Sequence, residues 1–281
     1  MNLKIDGASA TSKHLPVFPY PGENVSFGGP MTFLVQNIRQ IHEPGQIIVF
    51  WLGGSGFLFK FGDGTVLCID PYLSDAVERT VGFRRLSLPP IQANELPFDL
   101  LLISHDHRDH CDQDSLTDFI TTNPNGRIIA AKSCTTVLAP YQYQIIFVDK
   151  GDAIAVGSLR ILAVPCDHGE LCAEAIGFLI EYGNRTIYFT GDTSLNLDLL
   201  SSVIAEQPEV ILPCINGAYG NMNEVDAALL AKLCGSKKAI PAHFWLFSEH
   251  GGNPDVFRQN LNKYAPATEL ILLTPGRGAV I

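Results

Sequence analysis

Apolar positions fall in short runs along most of this chain, and glycine and proline punctuate them. Residues 1–30 are rich in Pro, Gly and Ser and predict an irregular arm. Met31 to Glu43 then places Phe33, Leu34, Ile38 and Ile41 near helical spacing and stops at Pro44-Gly45. Three strand-like runs follow, Ile47–Leu52, Gly56–Phe61 and Thr65–Ile69, the last two joined by the hairpin signal Gly62-Asp63-Gly64. Residues 71–98 show no clear period, and a loop of that length in a compact domain points to function.

Beyond it, strands and helices alternate. The pattern predicts strands over Leu100–Ser104, Arg127–Ala131, Gln144–Val148, Ala153–Val164, Gly177–Glu181, Thr186–Thr190, Val210–Cys214, Ala239–Ala242 and Glu269–Leu273. Helices are predicted over Ser115–Thr122, Ser194–Glu206, Glu224–Cys234 and Asp255–Tyr264. Many strands and few helices imply two packed sheets with helices outside. With no short repeat and no linker in sight, residues 31–281 read as one domain.

The string Ser104-His105-Asp106-His107-Arg108-Asp109-His110 directly follows an apolar strand. Residues two apart in extended backbone point the same way, so His105 and His107 can grip one cation from one face. Asp109 and His110, where the chain turns toward a helix, are free to aim at a second. Three imidazoles and a carboxylate so close together make poor packing material. Further donors stand at strand ends: His168 beside Asp167, Asp192 in Thr190-Gly191-Asp192-Thr193, and His243 after Ala239–Ala242. Taken singly, each is a cap or a solvated residue as readily as a ligand. Their order after the His-rich string joins them into one reading.

With these residues in view, the sequence resembles the metallo-β-lactamase superfamily. The family's His-x-His-x-Asp-His signature matches His105, His107, Asp109 and His110, and its later His, bridging Asp and final His match His168, Asp192 and His243. The likeness runs from about Ile47 to the end. It implies an α+β four-layer αββα sandwich with mixed sheets and an active site at one rim between them. It also implies two divalent metal ions, Zn²⁺ or Mn²⁺, with Fe²⁺ open. By position His105, His107 and His168 would hold the first, Asp109, His110 and His243 the second, with Asp192 between them. Asp70, after Val66–Ile69, would steady a His ring. Asp192, Asp109 and His243 become the catalytic set; Asp192 either relays a proton to the leaving group or acts as a ligand only.

Within the superfamily, Phe50-Trp51-Leu52-Gly53-Gly54-Ser55-Gly56, Gly191-Asp192-Thr193-Ser194, Ala218-Tyr219-Gly220-Asn221 and Ile240-Pro241-Ala242-His243-Phe244 resemble the L-ascorbate-6-phosphate lactonase group. That likeness implies a metal-dependent hydrolase that uses an activated hydroxide to open a lactone of a phosphorylated sugar acid. A phosphodiesterase or phospholipase-like hydrolase is the alternative, because the same nucleophile attacks phosphorus. A non-catalytic binding protein is the third reading, opposed by the seven filled ligand positions. It further implies homo-oligomers, with the Pro-rich arm as a contact by analogy.

The fold that the resemblance implies places the candidate substrate contacts. Arg84 and Arg85, in the loop after Asp70, suit a phosphate or are a solvated basic pair. Arg108 faces substrate or a surface carboxylate. Tyr219 and Asn221 bond a polyol or simply build a Gly-rich turn, and His250 is a substrate or acid residue or a surface histidine.

Composition narrows the partners. Lys and Arg number 19 against 29 Asp and Glu, a net charge of -10, and no stretch is strongly basic. That argues against nucleic acid. No apolar run reaches the roughly 18–20 residues that span a bilayer, which argues against membrane insertion. Seven cysteines without CxxC spacing, and an opening without an apolar leader, predict reduced thiols in a cytoplasmic protein. A small-molecule substrate is the partner that remains.

Overall fold

The computed structural model describes Ile38 and residues 45–281. The expected arm over 1–30, and all of the expected helix over 31–43 except Ile38, lie outside the described residues. Two seven-stranded sheets are stacked. The first runs β14-β1-β2-β3-β4-β5-β6 and the second β13-β12-β11-β10-β9-β8-β7.

In the first sheet, β1 (Ile47–Gly53), β2 (Gly56–Phe61) and β3 (Val66–Ile69) form an antiparallel meander. β4 (Leu100–Ile103), β5 (Arg127–Ala131) and β6 (Ile145–Val148) then continue in parallel, and β14 (Gly278–Val280) pairs antiparallel with β1. β1, β2, β3 and β4 are buried along their whole length, as strands packed on both faces must be. The second sheet repeats that pairing order. β7 (Ala153–Val156), β8 (Leu159–Pro165), β9 (Ile176–Tyr182) and β10 (Arg185–Phe189) are antiparallel neighbours. β11 (Val210–Leu212), β12 (Lys238–Ala239) and β13 (Glu269–Leu270) follow in parallel.

The sheets meet through aromatic side chains. Phe57 of β2 sets its ring edge-on to Phe189 of β10 at 6.4 Å, and Phe61 lies 5.0 Å from Tyr182 of β9. Removing a side chain such as Phe57, wholly buried here, costs about 3–5 kcal/mol. The helices are α1 (Ala76–Val81), α2 (Gln113–Thr122), α3 (Leu197–Ala205), α4 (Glu224–Cys234) and α5 (Pro254–Tyr264). α2 buries Leu116 and Phe119, and α4 buries Ala227, Ala228, Leu230 and Ala231, leaving the opposite faces to solvent. Asparagine caps start three of them: Asn196, Asn223 and Asn253 each accept backbone N–H groups. The architecture is the αββα sandwich.

Three departures from the pattern have local causes. The run predicted as one strand over Ala153–Val164 is a hairpin, because Gly157, at φ +58, lets the chain reverse with Ser158. The loop over 71–98 contains α1, too short to show a period. The strand expected over Glu269–Leu273 pairs only at Glu269 and Leu270.

Strands β3, β4, β8, β10 and β12 all deliver their C-terminal ends to one rim. There Gly54, at φ +55, passes so close to Leu246 that an added Cβ would sit 2.8 Å from Leu246 Cδ2. Its carbonyl accepts the backbone N–H of His243 at 2.9 Å, which ties the two sheets together beside the site.

Candidate metal centre

β4 ends at Ile103, and Ser104-His105 continues it into the rim. The chain then turns, with the N–H groups of His110 and Cys111 donating to the carbonyl of His107. That turn aims four side chains into one place. His105 Nε2 lies 3.0 Å from His107 Nδ1, and His168 Nε2 lies 3.3 Å from the same atom. His110 Nε2 faces His243 Nε2 at 3.1 Å. His243 Nε2 is 3.2 Å from Asp192 Oδ2 and 3.5 Å from Asp109 Oδ2. Asp192 Oδ1 stands 3.4 Å from His110 Nε2. His105, His110, His168, Asp192 and His243 are all buried.

Backbone conformation helps the aim. Asp70 and His243 both adopt left-handed φ values, 43° and 57°. Such positions cost about 1–3 kcal/mol each for a residue with a side chain and persist only where the surroundings enforce them. Gly191 needs its φ of +62 and its missing side chain, since a Cβ there would sit 2.7 Å from the carbonyl oxygen of Ile176.

Supporting bonds fix the donors. Asp70, fully buried, accepts from the Ser104 N–H at 2.8 Å and from the Ser104 hydroxyl, and it lies 2.7 Å from His110 Nδ1. A proton on Nδ1 shared with Asp70 leaves the lone pair of His110 Nε2 facing the cluster. Asn221 Nδ2 donates to Asp192 Oδ2 at 2.8 Å.

Charge follows the same design. Burial raises the Asp192 and Asp109 carboxyls, but His243 and His110 beside the first, and His110 then His243 beside the second, hold both well below the carboxylate range. Burial is the largest influence on these imidazoles and lowers them, but Asp192 and Asp109 together outweigh it at His110 and at His243, which rises to about 9. His105, further from the carboxylates, is pushed down by burial and then by His110. The carboxylates thus demand positive charge at this spot.

The donor set fits metal ions. Facing imidazole nitrogens cannot all satisfy one another by hydrogen bonds, since each neutral ring has one donor. Buried Asp192 Oδ1 has no hydrogen-bond partner. Ligands about 2.0–2.2 Å from a shared cation stand about 3–4 Å apart, the spacing seen here. Among the described residues, three sets each bring their donor atoms within 4.8 Å of one another: His105, His107 and His168; His105, His110 and Asp192; and Asp109, His243 and His250.

The cluster floors a cleft of about 410 Å³ whose walls include Val77, Thr80, Phe83, Leu171, Tyr219 and Phe247. Arg108 also lines it.

The remaining sequence-predicted contacts divide. Arg84 and Arg85 do not reach the cleft. The Arg84 side chain is 82% exposed, near Glu78, and Arg85 donates to the carbonyls of Tyr72 and Ser87 and lies over the Tyr72 ring. They line a separate depression, and the structure does not bring them together with the cluster; the backbone beside them is tied to the segment at Leu246 and Phe247. Asn221 is spent on Asp192 rather than on a polyol. Tyr219 is on the cleft wall. His250 is no surface histidine: it is 93% shielded and stands 4.0 Å from Asp109 Oδ2.

Sequence reading missed Asp112. Its carboxylate accepts from the N–H groups of Leu73 and Ser74 and the hydroxyls of Ser74 and Ser115, tying the loop after Asp70 to the start of α2. An acidic residue just ahead of a predicted helix was the available signal.

A sequence model of the beta-lactamase superfamily domain matches residues 48–243. The chain belongs to that superfamily. It is similar to a UPF0173 metal-dependent hydrolase of Archaeoglobus fulgidus, 27% identical over 238 residues, covering 81% of this chain and 96% of the relative. A UPF0173 metal-dependent hydrolase of Herpetosiphon aurantiacus is 28% identical over 240 residues, with 81% and 95% covered. Among solved structures, the metallo hydrolase Igni18 of Ignicoccus hospitalis shares the fold with a TM-score of 0.67 at 23% identity, over 84% of this chain and 98% of that one.

All seven cysteines are buried and unpaired. No helix among the described residues is long and apolar enough to cross a membrane.

Proposed function

We propose that the chain is a metal-dependent hydrolase of the beta-lactamase fold that cleaves an ester or lactone carrying an apolar body. The observation behind the proposal is the cleft: a floor of converging His and Asp donors beneath walls of Val77, Phe83, Leu171 and Phe247. His105, His107 and His168 would hold one cation, Asp109, His110 and His243 a second, with Asp192 between them. Divalent cations there supply Lewis acidity and bring the pKa of water from near 16 toward about 7.

The chain's own groups do the rest. Asp70 orients His110 through Nδ1. Asn221 fixes Asp192 Oδ2, which leaves the ionised Oδ1 to take the proton that the attacking water gives up and to return it to the leaving oxygen. The apolar walls of Val77, Phe83 and Phe247 offer a surface for the apolar body of the substrate. Arg108, the only Lys or Arg lining the cleft among the described residues, pairs with the carboxylate that opening a lactone creates.

A sugar phosphate would need more than this single guanidinium, because a phosphate buried without partners is costly. The test is a substrate panel on metal-loaded protein: an acyl lactone, an unphosphorylated sugar lactone, its 6-phosphate and a chromogenic phosphodiester. We expect kcat/KM for the acyl lactone to exceed that for the phosphorylated sugar lactone by tenfold or more. A preference for the phosphodiester, or turnover unaffected by verified removal of metal, would overturn the proposal.

A further inference from the structure

The family signature leaves His250 without a task, yet the structure builds it into the cluster. Its Nε2 lies 4.0 Å from Asp109 Oδ2, and its ring packs on His243 with centroids 4.6 Å apart and planes 33° from parallel. Phe247 meets that ring edge-on at 4.8 Å and Tyr219 at 5.8 Å, which together set its plane. The backbone N–H of His250 donates to the carbonyl of Phe247. The turn behind it admits only glycine. A Cβ on Gly251 would sit 2.4 Å from the Asn216 carbonyl oxygen, and one on Gly252 would sit 2.7 Å from Phe244 Cβ. Nothing in the packing accounts for a histidine here, since buried Nδ1 has no hydrogen-bond partner.

We infer that His250 is a further ligand of the cation held by Asp109 and His243. This rests on the reading of the cluster as a metal centre. Two ligand atoms about 2.1 Å from one ion can stand up to about 4.2 Å apart when they lie on opposite sides of it, so the 4.0 Å gap to Asp109 is within reach. The ligand set of that cation then includes a residue seven positions beyond His243, supplied by the loop after β12 rather than by a strand end.

Stepwise cation affinities decide the matter, measured by competition with a chromophoric chelator for Zn²⁺ and by the visible spectrum of the Co²⁺-loaded protein. His250→Phe removes the donor and keeps an aromatic ring among Phe247 and Tyr219; His250→Ala removes both. In the parent we expect two cations per chain. In each variant one binding step should weaken about ten- to hundredfold, the scale that partners of metal ligands command. The other step should hold, and the Co²⁺ bands of the weakened site should shift. If His250→Ala fails to fold, His250→Phe carries the test. Two unchanged steps and an unchanged Co²⁺ spectrum in His250→Phe overturn the assignment alone. A parent that takes up no cation overturns the reading of the cluster, and this assignment with it.

Discussion

The two sheets share one pairing order, three antiparallel contacts followed by three parallel, but they furnish the cluster in opposite ways. The first sheet supplies His105, His107, Asp109 and His110 from a single turn after β4, braced by Asp70 at the end of the neighbouring β3. The second supplies His168, Asp192, His243 and His250 from three loops, after β8, β10 and β12, spread from residue 168 to residue 250. The first half is organised by local backbone and by one buried carboxylate. The second exists only when β8, β10 and β12 bring their ends to the same rim, while each half carries one left-handed residue, Asp70 at φ 43° and His243 at φ 57°. Proximity in sequence thus makes one half robust, and the other half depends on the whole fold.

Perturbing Asp192 should have the largest effect, because it faces donors from both sheets. Asp192→Ala is expected to lower kcat/KM by about 10³-fold or more, equivalent to about 4 kcal/mol. Elemental analysis of the same variant should show loss of both cations, and full retention would remove Asp192 from the centre.

His110→Ala and His243→Ala take one donor from each half. Each is expected to cost about 10²-fold in kcat/KM, or about 2.7 kcal/mol. The double variant should cost clearly less than the sum if the two nitrogens, 3.1 Å apart, serve one ion as proposed. Strict additivity would mean that the halves act independently.

Asp70→Asn probes the brace. Metal affinity should fall about 10–100-fold. Because Asp70 also anchors Ser104, the melting transition should drop by about 1–3 kcal/mol of stability. Parent-like affinity together with lower stability would reduce Asp70 to a structural role.

The smallest effect is expected from Arg84→Ala with Arg85→Ala. Neither guanidinium lines the cleft, so kcat/KM should change less than about twofold on phosphorylated and unphosphorylated lactones alike, well under the 1.4 kcal/mol of a tenfold change. A loss confined to the phosphorylated substrate would return the pair to the site.

What could be read from the sequence follows the same division. The string at His105–His110 is visible as a motif because all its donors share one turn. His168, Asp192 and His243 are visible only as strand-end residues that the resemblance gathers. His250 was not legible as a cluster residue, because its burial is created by Phe247, Tyr219 and His243, which converge only after folding. Arg85 misled for the converse reason: a basic residue beside an active-site loop looks like a substrate contact until its bond to the Tyr72 carbonyl is seen. In the fold, the buried strands β1, β2 and β4 were plain from their apolar runs. The hairpin between β7 and β8 was hidden by continuous hydrophobicity across Gly157, and α1 by its brevity.

The facing nitrogens of His110 and His243 are 133 positions apart in sequence and belong to different sheets. An ion shared between them, as proposed, would act as a rivet through the laminate, since opening either sheet at the rim would destroy the same binding site. Local fraying, which otherwise exposes amide protons segment by segment, then carries the full cost of releasing the ion. Amide hydrogen exchange at the rim ends of β4 and β12 should slow together when cation is added, and by the same factor, although the two strands share no backbone hydrogen bond.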